Sequence, residues 1–159
     1  MTEAPFTQHF TFTIERTYDA PTHRVFHALA NAEEKAKWFS GPQGKWKPLV
    51  REFDFRVGGR ERAKGKWLDG TTSDFQATYC DIVDDRRVVY SYDMYVNDKR
   101  ISVSLATIEL QSLGERTQMN FTEHVVYLDG YPTPEDREQG SAQLLDNLGA
   151  YLQGAKAAV

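Results

Sequence analysis

The sequence predicts an α+β domain: a curved seven-stranded antiparallel sheet wrapped around a long C-terminal helix, with two short helices between strands 1 and 2. Three observations point to it. Apolar and polar residues alternate at Phe10-Thr11-Phe12-Thr13-Ile14-Glu15, which puts three large apolar side chains on one face of a half-buried strand. From Leu49 to Tyr127, strand-like runs are separated by turn signals, the spacing of an antiparallel meander. Beyond Thr133 the apolar residues recur with the helical period.

A single domain over residues 1–159 is expected, with a short frayed start at residues 1–8. Pro21 suits the first position of a helix in which Thr22, Val25, Phe26 and Leu29 share one face, with His23 and His27 nearly opposite. Asn31, followed three residues later by Glu34, has the form of a capping box and opens a second helix through Lys35 and Trp38, which Gly41 and Pro42 should end. Six strands follow near 49–55, 59–67, 73–83, 87–96, 100–111 and 116–127. Their punctuation is Gly58-Gly59, Asp69-Gly70, Asp84-Asp85, Asn97-Asp98 and Gly114, each able to take turn conformations that β-branched residues resist. The last helix opens at Thr133-Pro134-Glu135-Asp136: Thr133 can cap, Pro134 fits the first turn, and Asp136 meets the positive end of the helix dipole. Gly154 is its expected stop. Ser141, Leu144, Leu145, Leu148, Tyr151 and Leu152 fall on one face of a helix roughly 30 Å long at 1.5 Å per residue. One straight helix cannot fill the concave side of a wide curved sheet, so a gap between the two is the expected ligand site.

Composition excludes several function classes. The chain has 159 residues and a net charge of −4 at pH 7, an unfavourable field for a nucleic acid backbone. The longest apolar run is Val125 to Leu128, where a membrane span needs about 20 residues. Neither an export signal layout nor a CxxC pair is present, and the lone Cys80 closes no intrachain disulfide. The expected setting is a reducing cytoplasm, with no cofactor and no metal. His23 and His27 have the i, i+4 spacing of a zinc helix, but Arg24 follows His23 where a metalloprotease carries Glu, and no third ligand is indicated.

The order of elements resembles the helix-grip fold of the START-like, or SRPBCC, superfamily over nearly the whole chain. Arg16-Thr17-Tyr18-Asp19-Ala20-Pro21, Val25-Phe26-His27-Ala28-Leu29, Lys37-Trp38-Phe39 and Asp54-Phe55-Arg56-Val57-Gly58-Gly59 resemble bacterial proteins related to the activator of the heat-shock-protein-90 ATPase. The segment Gly140 to Leu152 is similar to that family's terminal helix, where Trp usually follows the Gly; here Ser141 stands instead. The resemblance implies the fold. It implies no particular activity, because relatives of this type include lipid carriers and polyketide cyclases.

Ser141 lies near the centre of the inward helix face, so its small side chain either enlarges a cavity or is covered by strand aromatics. Arg137, one turn earlier, can clamp a ligand carboxylate or form an ion pair at the rim. Glu123 shares a strand face with Met119, Phe121 and Val125; if that face is inward it is a buried acid suited to general acid or base work, and if a bulge intervenes His124 takes its place. The leading expectation is a binder of a small hydrophobic or aromatic molecule rather than an enzyme. Its cavity would be lined by Phe53, Tyr79, Tyr90, Tyr92, Phe121, Arg137, Ser141, Leu144, Leu145 and Leu148. Because Tyr and Trp carry polar atoms that need partners, a flat ligand with a few hydroxyl or carbonyl groups fits better than a bare alkyl chain. Two alternatives stand beside it: a cyclase, dehydratase or hydrolase acting on a polyketide-like or aromatic substrate through Glu123, and a chaperone-linked interaction module with an apolar patch on the outer sheet face. The sequence also leaves room for a homodimer.

Overall fold

The alternation that opens the chain runs on through β1, Thr7–Tyr18, in a computed structural model that describes residues 4–130 and 134–157. Residues 7 and 8 therefore belong to the sheet and not to a frayed start, while residues 1–3 lie outside the described residues. The cause is the partner strand. β7, Arg116–Leu128, extends equally far, and the pair is continuous from Thr7 opposite Leu128 to Tyr18 opposite Thr117. Past its end the Asp129 amide donates to the Phe6 carbonyl at 2.9 Å.

β2 (Trp46–Phe53), β3 (Arg60–Trp67), β4 (Thr72–Val83), β5 (Arg87–Val96) and β6 (Lys99–Leu113) complete one antiparallel sheet in the order β1-β7-β6-β5-β4-β3-β2. β2 starts at Trp46 rather than at residue 49, because the Trp46 ring lies over Gly65 of the neighbouring strand. A Cβ on Gly65 would stand 2.0 Å from that ring. Asn97 and Asp98 take φ of 50° and 65°, the left-handed pair that joins two strands tightly. Register shifts between Pro48 and Val50, Tyr79 and Asp81, and Met94 and Tyr95 bend the sheet where they fall.

α1 (Thr22–Ala30) and α2 (Ala32–Trp38) connect β1 to β2. Pro21 is the residue before α1 and not its first: its backbone is extended, yet its carbonyl accepts from the Arg24 and Val25 amides at 3.0 and 3.1 Å. Asn31 caps α2 by accepting the Glu34 amide at 3.0 Å. The Glu34 side chain does not close the box but turns to Arg24, His27 and Tyr151. α2 ends at Trp38, before Gly41 and Pro42, where Phe39 leaves the helical conformation and its ring packs on Phe75 at 5.0 Å.

α3, Pro134–Ala157, passes straight through Gly154. That glycine is exposed and keeps a φ outside the left-handed region, so the missing side chain costs only helix propensity, about 1 kcal/mol. Thr133, the expected cap, lies outside the described residues. Leu145, Leu148 and Leu152 are buried, and α3 packs on β1, α1 and α2. Polar ties fix its second half: Tyr18 Oη donates to the Leu145 carbonyl at 2.8 Å, Arg16 pairs with Asp146 at 2.8 Å, and Tyr151 Oη donates to Glu34 at 2.6 Å. The helix lies toward the β1 side of the concave face, leaving room above β4 and β5.

Phe12, Ile14, Tyr79, Tyr90, Ile108, Met119 and Phe121 are buried on the concave side, whereas Thr11, Thr13, Glu15 and His124 are exposed on the convex one. No helix of the described residues is long and apolar enough to cross a membrane. Replacing Gly65 by Val should displace the Trp46 ring and lower stability by about 1–3 kcal/mol, read as an earlier urea midpoint.

Candidate functional site

A cavity of about 610 Å³ lies between the sheet and α3. Tyr79 of β4, Tyr90 and Tyr92 of β5 and Phe121 of β7 form its sheet wall, and Arg137, Ser141, Leu144 and Leu145 face it from α3. The period of two along each strand and the helical period of α3 bring these residues together. Phe53 and Leu148 are not part of the wall. Phe53 is held in a ring cluster, stacked on Phe55 at 5.9 Å and edge-on to Tyr79 at 6.3 Å. Leu148 is wholly buried, a turn deeper along the helix. Trp38, Phe39, Trp46 and Phe75 complete an aromatic lining, none of the four being among the expected wall residues. The exposed lining residues Pro42, Trp67, Asp136, Gly140 and Gln143 mark the mouth, between the segment after α2 and the first turns of α3.

Two buried ionic clusters border this space. In one, Glu123 is fully buried and inward, with His124 outward, because β7 pairs both neighbours without a register shift. It is not at the solvent rim, the fate most common for such an acid. Its Oε2 accepts from Tyr92 Oη at 2.7 Å, Ser104 Oγ at 2.8 Å and Arg137 Nη1 at 3.1 Å. Arg137 Nη2 donates to Ser102 Oγ at 2.7 Å, and its guanidinium lies 5.6 Å from the Tyr92 and Tyr127 ring centres. The Arg137 side chain is only 9% exposed, so this is an ion pair under the mouth and not a rim pair. Oε1 of Glu123 is buried with no hydrogen-bond partner among the described residues. Burial, and then the Glu123 charge, push the Tyr92 phenol up, so it serves as a donor.

The other cluster escaped the sequence reading. Lys35 of α2 donates from Nζ to Glu61 Oε1 of β3 at 2.6 Å, and Arg51 of β2 donates from Nη1 to Glu61 Oε2 at 2.8 Å. Tyr79 Oη also donates to Glu61 Oε1. Glu61 is 1% and Lys35 8% exposed at the side chain, and Lys35 faces the cavity. Burial raises the Glu61 carboxyl, but the charges of Lys35 and Arg51 outweigh it and hold it below the usual glutamate range. A faint signal was available: Glu61, Ala63 and Gly65 share a strand face, where one acid stands among small residues. Among the described residues no group of His, Cys, Asp and Glu is arranged to hold a metal ion.

The family whose model matches is the Activator of Hsp90 ATPase homolog 1-like protein family, over residues 19–153. The chain belongs to this family. As a member of it, the chain fits the SRPBCC superfamily and its helix-grip fold. A protein from Rhizobium leguminosarum superposes on it with a TM-score of 0.90 at 40% identity, over 95% of this chain and 99% of its own. Protein Mll3558 from Rhizobium loti gives 0.84 at 38% identity, over 92% and 99%. An AHSA1-like protein from Aeromonas hydrophila shares the fold at 21% identity, with a TM-score of 0.70 over 92% and 94%. Among curated proteins nothing matches the chain. Membership in this AHSA1-like family is consistent with a ligand-binding fold, and the identity of any ligand has to come from the site's own chemistry.

Removing one partner of a buried ion pair leaves charge without compensation, so Glu61→Gln should cost about 3–5 kcal/mol in urea unfolding. With the folded value of Glu61 lowered, its contribution is present above the usual glutamate range and is lost as pH falls through the lowered value. Stability measured against pH should therefore fall less on acidification in Glu61→Gln than in the wild type.

Proposed function

We propose that the domain binds a small, largely apolar molecule with a flat aromatic framework in the cavity between the sheet and α3. The observation that carries this reading is the hollow of about 610 Å³, within the roughly 300–1,000 Å³ typical of small-molecule sites. A concave space of this size, open at its mouth and lined by Trp38, Phe39, Phe75 and Tyr90, has the largely apolar and aromatic walls that small-molecule sites present. The tyrosine hydroxyls and the two ion clusters supply the few polar groups that orient it.

The enzymatic alternative draws on Glu123, whose Oε1 has no hydrogen-bond partner among the described residues. Against it stands Oε2, already accepting from three donors, one of them a guanidinium that offsets the charge. A carboxylate so engaged is better suited to fixing Arg137 and Tyr92 than to moving protons. For the interaction-module reading, the outer face offers Val103 and Leu105, 36% and 45% exposed, among Thr11, Thr13, Thr122 and His124. That is a small apolar surface for a protein interface.

Native mass spectrometry of the freshly purified protein, followed by a panel of hydrophobic aromatic compounds, should show a carried or added ligand at one per chain. Absence of both would overturn the reading. Ser141→Trp, which fills the cavity from α3, should weaken binding of any such compound about tenfold or more, as expected when a snug site loses space. The urea midpoint should stay near that of the wild type.

A further inference from the structure

The cluster around Glu61 has an unbalanced charge. Lys35 and Arg51 both meet one carboxylate, so two cations face one anion in a region where Lys35 and Glu61 are almost wholly withdrawn from water. The second cluster, Arg137 with Glu123, balances itself. With the exposed Asp136 at the mouth left to solvent, those five charges sum to one positive charge in excess, only partly relieved by the 25% exposure of Arg51, and low-dielectric surroundings penalise such an excess unless an anion arrives.

The same cluster holds unused donors, although of its two cations only Lys35 lines the cavity. Nε and Nη2 of Arg51 are buried with no hydrogen-bond partner among the described residues. Lys35 Nζ has three hydrogens. It gives one to Glu61 and one, at 3.4 Å, to Tyr79 Oη, and it lies 4.5 Å from the centre of the Phe39 ring. Lys35 and Phe39 both line the cavity. Native proteins seldom leave buried donors unpaired, and where they do an absent partner is a usual reason.

Resting on the cavity reading above, we infer that the ligand is an aromatic monoanion, a carboxylate or sulfonate, whose charged group is received by Lys35 while its rings lie against the aromatic wall. Arg51 is a positioning residue. It shares the charge of Glu61, so that the remaining hydrogen of the Lys35 ammonium can serve the guest. Burial pulls the Lys35 ammonium below its ordinary value, with Glu61 opposing and Arg51 reinforcing that pull, the condition in which an added anion is favoured.

Two fluorescent probes separate this inference from the reading beneath it. 8-Anilinonaphthalene-1-sulfonate and N-phenyl-1-naphthylamine share one ring framework and differ by the sulfonate. Wild-type protein should bind both at one per chain, with the sulfonate about tenfold or more the tighter, the difference made by a charge-assisted hydrogen bond. Lys35→Met, which leaves Glu61 paired with Arg51, should abolish that preference yet retain the neutral probe at one per chain, with a cooperative urea transition showing that the variant is folded. Equal binding of the two probes by the wild type, or a preference unchanged in Lys35→Met, would overturn the anion inference and spare the cavity. Failure of the wild type to bind either probe would overturn both.

Discussion

A sheet of seven twisted strands has a concave face too wide for one straight helix to cover, and every other feature of the interior follows from that mismatch. α3 satisfies its apolar stripe by lying toward β1, where Tyr18 and Arg16 hold it. The far half of the concavity must then be closed by other means. Rings from β4 and β5 rise toward the helix, α2 and the segment after it lean across the edge near β2 and β3, and what remains unfilled is the cavity. Small side chains at Ser141 and Gly140 keep α3 from filling it.

Charge burial is a second response to the same geometry. The strands that border the opening, β2 and β3, are rich in Arg, Lys and Glu, and alternation obliges some of these side chains to point inward. Inward charge survives only when paired and hydrogen-bonded. Glu61 gathers Lys35, Arg51 and Tyr79 from three different elements. Glu123 likewise gathers Tyr92, Ser104 and Arg137. Each carboxylate thus ties a helix to the sheet at a place where hydrophobic packing is thin.

The parts of the fold legible in the sequence are those where one simple period operates. In β1 and β7 a strict alternation runs without a bulge, so the inward placement of Phe121 fixes that of Glu123 two residues on. The helical face of α3 could be read for the same reason. β3 resisted because Arg60-Glu61-Arg62-Ala63-Lys64-Gly65-Lys66 carries charge on both faces, and no apolar rhythm tells in from out. In β2 the register shift between Pro48 and Val50 resets the parity, so even a correct strand assignment leaves the direction of Arg51 open. Lys35 belongs to a two-turn helix whose other buried residue is Trp38, and only the three-residue spacing between them hints that the amine is covered. Phe53 was misjudged for a different reason: facing inward is not the same as facing the void, and neighbouring rings absorbed it.

The ties on α3 are unevenly distributed. Its second half is bonded to β1 and to α2 through Leu145, Asp146 and Tyr151, whereas its first turns meet the sheet through the guanidinium of Arg137. The two ends of the helix are held by different means, and the Arg137 contacts lie beside the mouth of the cavity. One arginine, bonded to Ser102, Ser104, Tyr92 and Glu123, thus carries the hold of the first turns on the sheet, while the second half of the helix is held without it.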